Sequence, residues 1–351
     1  MNKSSTIKDV AVRAGVSLGT VSNHINRTKA LRPATARRID QAIAELDFVP
    51  NRAVRTLRGN RSHVVGLVVP DATNPFFMEL ARHVEDVARA NDCVVIFCDA
   101  AGDRDREANY LRSLAEMRVS GVIIASIDDE TKNLRALQSV GAPIVILGLT
   151  DPGVGPSTIA VDHRNGGYMA ANHLLSIGRR NILFAGGPGG GLVLEHRMEG
   201  ARAAIADHPD GGGVTFTRID SKGRTVGERA ALVDALLVLD PRPDAILAGN
   251  DMIALTLING LLRRGVRVPE DIAIVGHDDV EAASQALIPL TTVRQPIAEL
   301  GQLAGAIVFR QAAAQNPVRE HFELTLELVV RDSTVAPRGK EWNALISQSR
   351  R

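Results

Sequence analysis

The order of apolar and polar positions along the chain changes character near residue 64. From there onward, short apolar runs alternate with longer amphipathic segments, such as 76–91 and 104–119. Runs that are apolar on both faces and separated by helices are typical of parallel sheets covered on both sides. The pattern therefore predicts an α/β core of two doubly wound parallel-sheet subdomains. The predicted strands contain the runs VVGLVV, CVVIFC, GVIIAS, PIVILG, TIAVD, ILFAGG, VTFTRI, AILAGN and IAIVGHD.

Before residue 64 the spacing of apolar residues is helical instead. Thr6 and Asp9 have the spacing of a capping box, and apolar residues then recur every three or four positions up to Ala14. Gly15 permits the left-handed backbone that ends a helix. We therefore expect a first helix over residues 7–14, closed by a tight turn.

A second helix is expected to follow that turn. Ser17 can cap it, Val21 and Ile25 form its inward side, and Gly19 and Asn23 lie on the other side. Two short helices joined by a tight turn form a helix-turn-helix, which places the second helix in a DNA major groove. An ordinary helical hairpin has the same pattern, so the distribution of charge must decide between the two.

Charge is distributed unevenly along the chain. Residues 1–61 contain twelve Lys or Arg and four Asp or Glu, a net charge of +8, although the whole chain carries only +1. The remaining residues therefore sum to −7. A basic head on a mildly acidic body indicates a polyanionic partner for the head alone. Because the charge coincides with the helix pair, it favours nucleic-acid binding over an ordinary solvated face.

A third helix and a short basic segment complete the head. Pro33 can open the third helix, and the basic segment 50–61 after it is too short to be a stable helix alone. This segment is either a plain linker or a hinge helix that folds only against a second copy and DNA. In the second case, Leu57 would wedge between base steps in the minor groove, while Arg52 and Arg55 face phosphate or solvent.

Length and composition limit the class of protein. A chain of 351 residues with 45% hydrophobic residues predicts two or three domains with a substantial core. The sequence shows no apolar run long enough to cross a membrane and no secretory signal at its start, so we expect a cytoplasmic, nucleoid-associated protein. Cys93 and Cys98 are expected to be reduced thiols at the two ends of a buried strand.

Parallel sheets bind ligands at the carboxyl ends of their strands, so residues directly after each apolar run are candidates for a ligand site. The sequence shows no nucleophile motif and no metal-binding spacing of His, which predicts no enzyme, no metal and no cofactor. The glycine-rich stretch 186–191 lacks the Lys-Ser or Lys-Thr of a phosphate loop. The candidate positions are 71–77, Asp99, Ser126, Gly148, Asp162, 186–191, Asn250, Asp251 and 277–279.

With these motifs in order, the chain resembles bacterial transcription regulators of the lactose/galactose repressor family along nearly its whole length. The resemblance is specific, because eight separate motifs keep their order and spacing. The motifs are TIKDVAVRAGVSLGTVS, the hinge PNRAVRTLR, GLVVPDATNPFF, Asp162 with a turn at Gly166-Gly167, HRMEGARAA, AILAGNDMIALTLINGL, DIAIVGHDD and PLTTVRQPIAELG.

The resemblance implies a helix-turn-helix head over 1–49, a hinge helix over 50–61 and an effector-binding core over 62–337. It divides the core into an N-subdomain, about 62–162 and 293–324, and a C-subdomain, about 163–292 and 325–337. The tail 338–351 shows no sustained heptads, so we expect a homodimer rather than a tetramer. The expected partners are near-palindromic double-stranded operator DNA and a small polar effector, and a membrane is not expected.

The resemblance also implies site residues by position. Leu18, Gly19 and Asn23 would read bases, and Leu57 would be the minor-groove lever; further DNA contacts would come from Thr6, Ser17, Thr20, Ser22, Asn26, Arg52, Ala53 and Arg55. Asn23 stands where the family often has a larger basic residue, and Asn can pair with adenine. The effector-binding residues would be Asn74, Phe76, Phe77, Val161, Asp162, Arg197, Asn250, Asp278 and Ile297.

We therefore expect a sequence-specific transcriptional repressor whose operator affinity is controlled by an effector, either a sugar or a sugar derivative. An Arg, an Asn and an Asp beside an aromatic wall suit a polyhydroxylated ligand. The alternative is a sugar-binding protein without a DNA role, which shares the core architecture. An enzyme on a doubly wound fold is a weaker third reading.

Overall fold

The computed structural model describes residues 5–26, 29–49, 62–125, 134–148, 155–187, 191–223 and 225–335. Within the chain there are two compact units, Met1–Ser62 and His63–Arg351. The predicted hinge 50–61, with Arg52, Ala53, Arg55 and Leu57, lies outside the described residues, as do Ser126, the tail 338–351 and the side chain of Asn26.

The first unit contains the three predicted helices, α1 (Ile7–Ala14), α2 (Leu18–Asn26) and α3 (Pro33–Glu45). The capping box is confirmed: Thr6 Oγ1 accepts from the Asp9 N–H, and the Asp9 carboxylate accepts from the Thr6 N–H at 2.8 Å. Gly15 has φ of 62°, as the predicted turn requires. The side chains of Val10, Val21 and Ile39, one from each helix, are fully buried against one another.

The second unit contains the predicted α/β core. Its strands and helices are, in chain order, β1 (Val64–Val69), α4 (Pro75–Ala90), β2 (Val94–Asp99), α5 (Arg104–Glu116), β3 (Gly121–Ala125), α6 (Arg135–Ser139), β4 (Ile144–Leu147), β5 (Ser157–Val161), α7 (His163–Ser176), β6 (Asn181–Gly186), α8 (Gly191–Asp207), β7 (Thr215–Asp220), α9 (Val226–Leu237), β8 (Ala245–Ala248), α10 (Asp251–Leu262), β9 (Ala273–Asp278), α11 (Glu281–Gln285), β10 (Thr291–Arg294), α12 (Ile297–Ala313), β11 (His321–Leu324) and β12 (Glu327–Val329).

These strands form two six-stranded sheets. The first has the order β11-β5-β4-β3-β1-β2 and is parallel throughout. Successive residues of β1 face opposite sides: Leu67 packs with Leu80 of α4, while Val68 packs with Leu111 of α5. Helices therefore cover both faces of this sheet, which explains why its central strands are apolar at every position.

The second sheet has the order β12-β10-β9-β8-β6-β7, parallel except for the antiparallel pair β10–β12. The chain enters it after β5, leaves it after Arg294, returns to the first sheet for β11 and comes back for β12. The expected subdomain boundary at 292–293 falls inside β10, so the structure moves this crossing to the segment after Arg294. We call the regions built on the first and second sheets lobe 1 and lobe 2.

Two details differ from the sequence-based expectation. The CVVIFC run was expected to be a buried strand, but β2 lies at the sheet edge, where Val94 is 57% exposed and only Cys98 is buried. Gly166 and Gly167 were expected in a turn, but they lie inside α7. They are needed for close packing: a Cβ added to Gly167 would lie 1.8 Å from the Arg197 carbonyl oxygen on α8.

Candidate functional site

A cavity of about 140 Å³ lies where the carboxyl ends of the two sheets face each other. This is the position at which parallel α/β sheets bind ligands. Lobe 1 contributes the loop and first turn after β1, and lobe 2 contributes α8, the residues that follow β8 and the last residue of β9. Seven of the predicted effector-binding residues line this cavity: Asn74, Phe76, Phe77, Val161, Arg197, Asn250 and Asp278.

The structure does not bring the other two predicted residues, Asp162 and Ile297, to the cavity wall. Asp162 is exposed and caps α7, because its Oδ1 accepts from the Asn165 N–H at 2.8 Å. Ile297 is 8% exposed and packs in the hydrophobic core at the start of α12. The site positions proposed from strand ends also include Asp99, which accepts from the Ala72 and Ala101 N–H groups instead.

Arg197 is the central cation of the cavity wall. It lies in the middle of α8 and is 4% exposed. Its Nη1 donates to the Gly249 carbonyl at 2.5 Å, and its Nη2 donates to His163 Nδ1 at 3.4 Å. Burial lowers the pKa of Arg197 to about 10, although Asp278 and Asp251 act in the opposite direction, so the guanidinium stays charged at neutral pH. Its Nε–H is buried, and no residue in the described part of the chain accepts a hydrogen bond from it.

Asp278 connects the two lobes through its carboxylate. Asn74 Nδ2 of lobe 1 donates to Asp278 Oδ2 at 3.1 Å, and Gln295 Nε2 donates to Oδ1 at 2.7 Å. Arg197 Nη2 lies 3.8 Å from Oδ1. Burial raises the pKa of Asp278, while the charge of Arg197 and the two hydrogen bonds lower it. The backbone of Asp278 has φ of 117°, a conformation that non-glycine residues rarely adopt outside functional sites.

A second buried carboxylate, Asp251, organises the loop behind Asp278. It is fully buried and accepts from the Val280 N–H at 3.0 Å and from Thr292 Oγ1 at 2.6 Å. Burial and the neighbouring Asp278 raise its pKa well above the ordinary value. Asp251 does not line the cavity, so it holds the backbone that presents Asp278 rather than facing a ligand.

Two buried histidines flank Arg197, with ring centroids 5.9 Å apart. Burial, followed by the charge of Arg197, lowers the pKa of both His163 and His277 well below the ordinary value, so both are neutral at pH 7. His163 lines the cavity, whereas His277 packs against Gly166 and contributes no atoms to the wall. His277, one of the candidate positions named from strand ends, is therefore a packing residue in this structure.

Close helix packing places Arg197 at the cavity. A Cβ on Gly200 of α8 would lie 1.8 Å from the Arg164 carbonyl of α7, which mirrors the contact of Gly167 with Arg197. Glycines at these two positions let the backbones of α7 and α8 touch. Because Arg197 lies directly at this contact, its backbone position depends on the absence of a side chain at Gly167 and at Gly200.

Sequence reasoning missed several lining residues. His163 and Gln295 each come directly after or near a strand end, so the rule that pointed to Asp162 could have found both. The apolar part of the wall, including Leu80, Leu147, Leu194, Ile253 and Leu300, could not be separated from the rest of the core by its sequence pattern.

The predicted DNA-reading face lies on α2. Leu18 is 44% exposed and Gly19 is exposed, while Val21 on the opposite side is fully buried. Ser17 Oγ accepts from the Thr20 N–H at 3.2 Å, so the predicted cap of α2 is present. Ser22 and Asn23 are half-buried, and Thr6 belongs to the capping box of α1. Contact of these residues with bases or phosphates stays a prediction.

Two family models match the chain over adjacent regions. Residues 6–51 match the model described as "Bacterial regulatory proteins, lacI family". Residues 62–325 match the model described as "Periplasmic binding proteins and sugar binding domain of LacI family". A sugar-binding protein without a DNA role does not account for the first match, so the comparison favours the regulator over that alternative.

Individual proteins agree with the family models over most of the chain. The HTH-type transcriptional repressor PurR of Photobacterium profundum is 33% identical over 94% of this chain and 98% of its own length. The lac repressor dimer bound to operator and the anti-inducer ONPF is 26% identical with a TM-score of 0.79, covering 95% of this chain and 100% of that one. A LacI family regulator from Enterococcus faecium with bound ribose is 28% identical with a TM-score of 0.68, covering 78% and 100%.

Within the described ranges of the chain, no helix is long and apolar enough to span a membrane. The same residues contain no group of three or more His, Cys, Asp or Glu side chains arranged to hold a metal ion.

Proposed function

This chain belongs to the lacI family of bacterial regulatory proteins and is a DNA-binding transcriptional repressor with a ligand-binding core, and from that premise we propose the nature of its effector and of its switch. The effector is a small, polar, sugar-like molecule that binds in the cavity between lobes 1 and 2. Its binding changes the arrangement of the lobes and thereby the operator affinity of a homodimer.

The cavity itself carries this proposal, because its wall is formed by both lobes and a hydrogen bond between Asn74 and Asp278 crosses it. A ligand that contacts both walls has different interactions in each lobe arrangement, which is the requirement for shifting an equilibrium between them. A coupling of about 1 to 3 kcal/mol would change DNA affinity by roughly 5- to 150-fold.

The chemistry of the wall supports a sugar-like ligand. Arg197, Asn250 and Asp278 supply hydrogen-bonding groups, and Phe76 and Phe77 supply an apolar surface with ring centroids 5.1 Å apart. A sugar ring needs both kinds of surface, because its hydroxyls require partners and its C–H face favours apolar contact. The ribose bound by the Enterococcus faecium regulator belongs to the same chemical class.

In this proposal the head and hinge act as the DNA-binding part of a homodimer in the cytoplasm, where the operator is. The α2 helices read two half-sites, with Leu18, Gly19 and Asn23 at the bases, and Leu57 of each hinge enters the minor groove between them. The dimeric lac repressor bound to operator, to which this chain is similar, supports the oligomeric state.

Thermal unfolding of the full-length protein against sugars, polyols, sugar phosphates and nucleobases tests the effector. A true effector at about 100 times its dissociation constant should add about 2.7 kcal/mol of stability. A compound that stabilises the protein is then added to a titration of the protein with operator DNA. A hit that stabilises the protein but leaves operator affinity unchanged would contradict the proposed switch.

Two reciprocal variants test the division of labour. Leu57→Ala should weaken operator binding and leave effector affinity nearly unchanged, whereas Arg197→Met should do the reverse. Both affinities are measured for both variants by titration calorimetry and by DNA-binding fluorescence anisotropy. Equal losses of both affinities in the Leu57→Ala variant would refute a separate hinge.

A further inference from the structure

The cavity wall already balances the charge of its own cation. Among the described residues that line the cavity, Arg197 is the only Arg or Lys. The Asp278 carboxylate lies 3.8 Å from its Nη2, within ion-pair distance, and both side chains are about 95% buried. A buried charge is tolerated when it is paired in this way, so Arg197 does not require an anionic ligand.

The other ionisable groups of the wall do not favour an anion either. Asp71 adds a further negative charge, so the formal charge of the described lining is −1. His163 is 4% exposed, and its Nδ1 faces the Arg197 guanidinium, a contact that only a neutral imidazole can accept. A phosphate or carboxylate placed beside Arg197 would therefore also lie near Asp278, and the described lining contains no second cation to offset it.

The hydrogen-bonding capacity left over suits an uncharged ligand. Arg197 Nε–H is buried and has no hydrogen-bond partner among the described residues. Asn250 uses its Oδ1 to cap α10 through the Ile253 N–H, and no described residue accepts from its amide nitrogen. Gln295 donates its Nε2 to Asp278, which leaves its Oε1 as an acceptor. The Asn250 amide and the Gln295 oxygen thus offer a donor and an acceptor, which is what hydroxyl groups need, beside the apolar rings of Phe76 and Phe77.

We propose that the effector is uncharged and that Asp278 is the residue that enforces this choice, by neutralising Arg197 and repelling phosphate esters and carboxylates. This inference rests on the proposed function and narrows it from sugars and sugar derivatives to the unphosphorylated ones. Asp278 acts as a specificity determinant, since a phosphate ester would have to be desolvated beside a carboxylate that is itself buried.

The first test compares matched pairs in titrations of the full-length protein: D-ribose with ribose 5-phosphate, D-glucose with glucose 6-phosphate, and D-fructose with fructose 6-phosphate. In any pair that binds, the uncharged member should bind at least about tenfold more tightly, a difference of about 1.4 kcal/mol. A phosphate ester that binds as tightly as its parent sugar, or more tightly, overturns the inference. If no pair binds, the effector is none of these three sugars or their phosphates, and the question of charge passes to the second test.

The second test needs no knowledge of the effector, because its probe is inorganic phosphate. Phosphate stabilises folded proteins in general by exclusion from their surface, so Arg197→Met gives the baseline of this effect. The wild-type protein should gain the same increase in unfolding temperature as Arg197→Met across a phosphate titration. Asp278→Asn, which keeps the size of the side chain but removes the carboxylate that forms the ion pair with Arg197, should gain more than either.

A wild-type response larger than that of Arg197→Met would show that Arg197 is free to hold an anion and would overturn the inference. An Asp278→Asn response equal to the baseline would show that Asp278 does not control anion binding, which overturns its role. If Asp278→Asn does not fold, the comparison of wild type with Arg197→Met still decides whether the cavity accepts an anion.

Discussion

Asn74 and Asn250 occupy equivalent positions in the two lobes, since each caps the helix that follows a strand at the cavity. Asn74 Oδ1 accepts from the Phe76 N–H, and Asn250 Oδ1 accepts from the Ile253 N–H. The difference lies in the amide nitrogen, which in Asn74 alone donates across the cleft to Asp278. Asn74 therefore both caps α4 and links the two lobes, whereas Asn250 caps α10.

Replacing Asn74 by Asp should separate these two roles. The new carboxylate still caps α4. It also replaces the amide whose Nδ2 lies 3.1 Å from Asp278 Oδ2 in the wild type, so two carboxylates then face each other. We expect Asn74→Asp to lower the free energy of unfolding at pH 7 by about 2 kcal/mol, because a charge-assisted hydrogen bond is replaced by repulsion. The measurement is urea unfolding at several pH values.

The pH dependence of the unfolding free energy tests whether repulsion between the two carboxylates causes the loss. Repulsion raises the pKa of the carboxyl pair in the folded Asn74→Asp variant, so the lost stability should return as the pH falls and one proton is shared. Asn250→Asp is the matched control: it keeps its cap, bridges nothing and should change stability little. Equal losses in the two variants would mean that the bridge between Asn74 and Asp278 contributes nothing.

His277 should make the stability of the core depend on pH. Burial lowers its pKa well below the ordinary value of 6.5, so the folded protein holds the neutral imidazole while the unfolded chain takes up a proton. The stability that this histidine contributes is therefore complete above a pH of about 6.5 and is lost as the pH falls below it.

The expected outcome for His277→Asn is a shallower loss of unfolding free energy between about pH 6.5 and 5, by up to about 1.4 kcal/mol per pH unit for one proton. Unfolding is followed by urea titration of both proteins at each pH. His163, Asp251 and Asp278 are present in both proteins, so the difference between the two curves isolates His277. Parallel curves would show that His277 is not buried in its neutral form.

At the residue scale, the sequence predicted the side chains that follow a recognisable motif. Arg197 and Asp278 could be assigned to the cavity because the motifs HRMEGARAA and DIAIVGHDD fix their positions. Asp162 could not be separated from its neighbour His163: both follow β5, but the first turns outward to cap α7 and the second turns inward. Which of two adjacent residues faces a cavity depends on the local backbone, which a motif does not specify.

At the scale of elements, the packing of α7 against α8 depends on glycine. A Cβ at position 167 would meet the Arg197 carbonyl at 1.8 Å, so Gly167→Ala must push the helices apart. We expect Gly167→Ala to lower the free energy of unfolding by about 1 to 3 kcal/mol, as overpacked cores do. Effector affinity should fall as well, at temperatures where the variant is folded, because Arg197 lies at the contact.

Gly227 of α9 provides the matched control. It is also a helical glycine, but a Cβ there meets no atom within 4 Å. Gly227→Ala should therefore raise the free energy of unfolding by up to about 1 kcal/mol, since alanine is the better helix former. Thermal unfolding of the two variants decides the point, and losses of the same size in both would show that the close contact of α7 and α8 is not the cause.

The order of the elements was predictable from their apolar runs, but their position in the sheets was not. The runs VVGLVV and CVVIFC look equally apolar, yet β1 is central and β2 lies at an edge. Pairing between strands is a tertiary property, and one strand's composition reports it only weakly. The glycines of α7 were wrongly predicted in a turn for a related reason, because their contacts lie on distant parts of the chain: Gly166 meets His277 and Leu326, and Gly167 meets Arg197.

At the scale of the whole molecule, the uneven charge predicts how operator binding responds to salt. The +8 charge of residues 1–61 should displace counterions from DNA, so the logarithm of operator affinity should fall linearly with the logarithm of salt concentration. Arg55→Ala should make this slope shallower by about one, as expected for the loss of one phosphate contact. Lys222→Ala, which removes an exposed charge from the core, should leave it unchanged. A salt-independent affinity would contradict the DNA-binding assignment.

The repeated crossing of the chain between the two sheets also bears on how the protein is made. β11 joins the first sheet only at residues 321–324, long after β1 to β5 have left the ribosome, whereas the three helices of the head are contiguous. Domains fold as units during synthesis, and contacts between distant residues form late. The DNA-binding head can therefore fold while the core is still being translated, and neither lobe can be produced whole as one uninterrupted fragment of the gene.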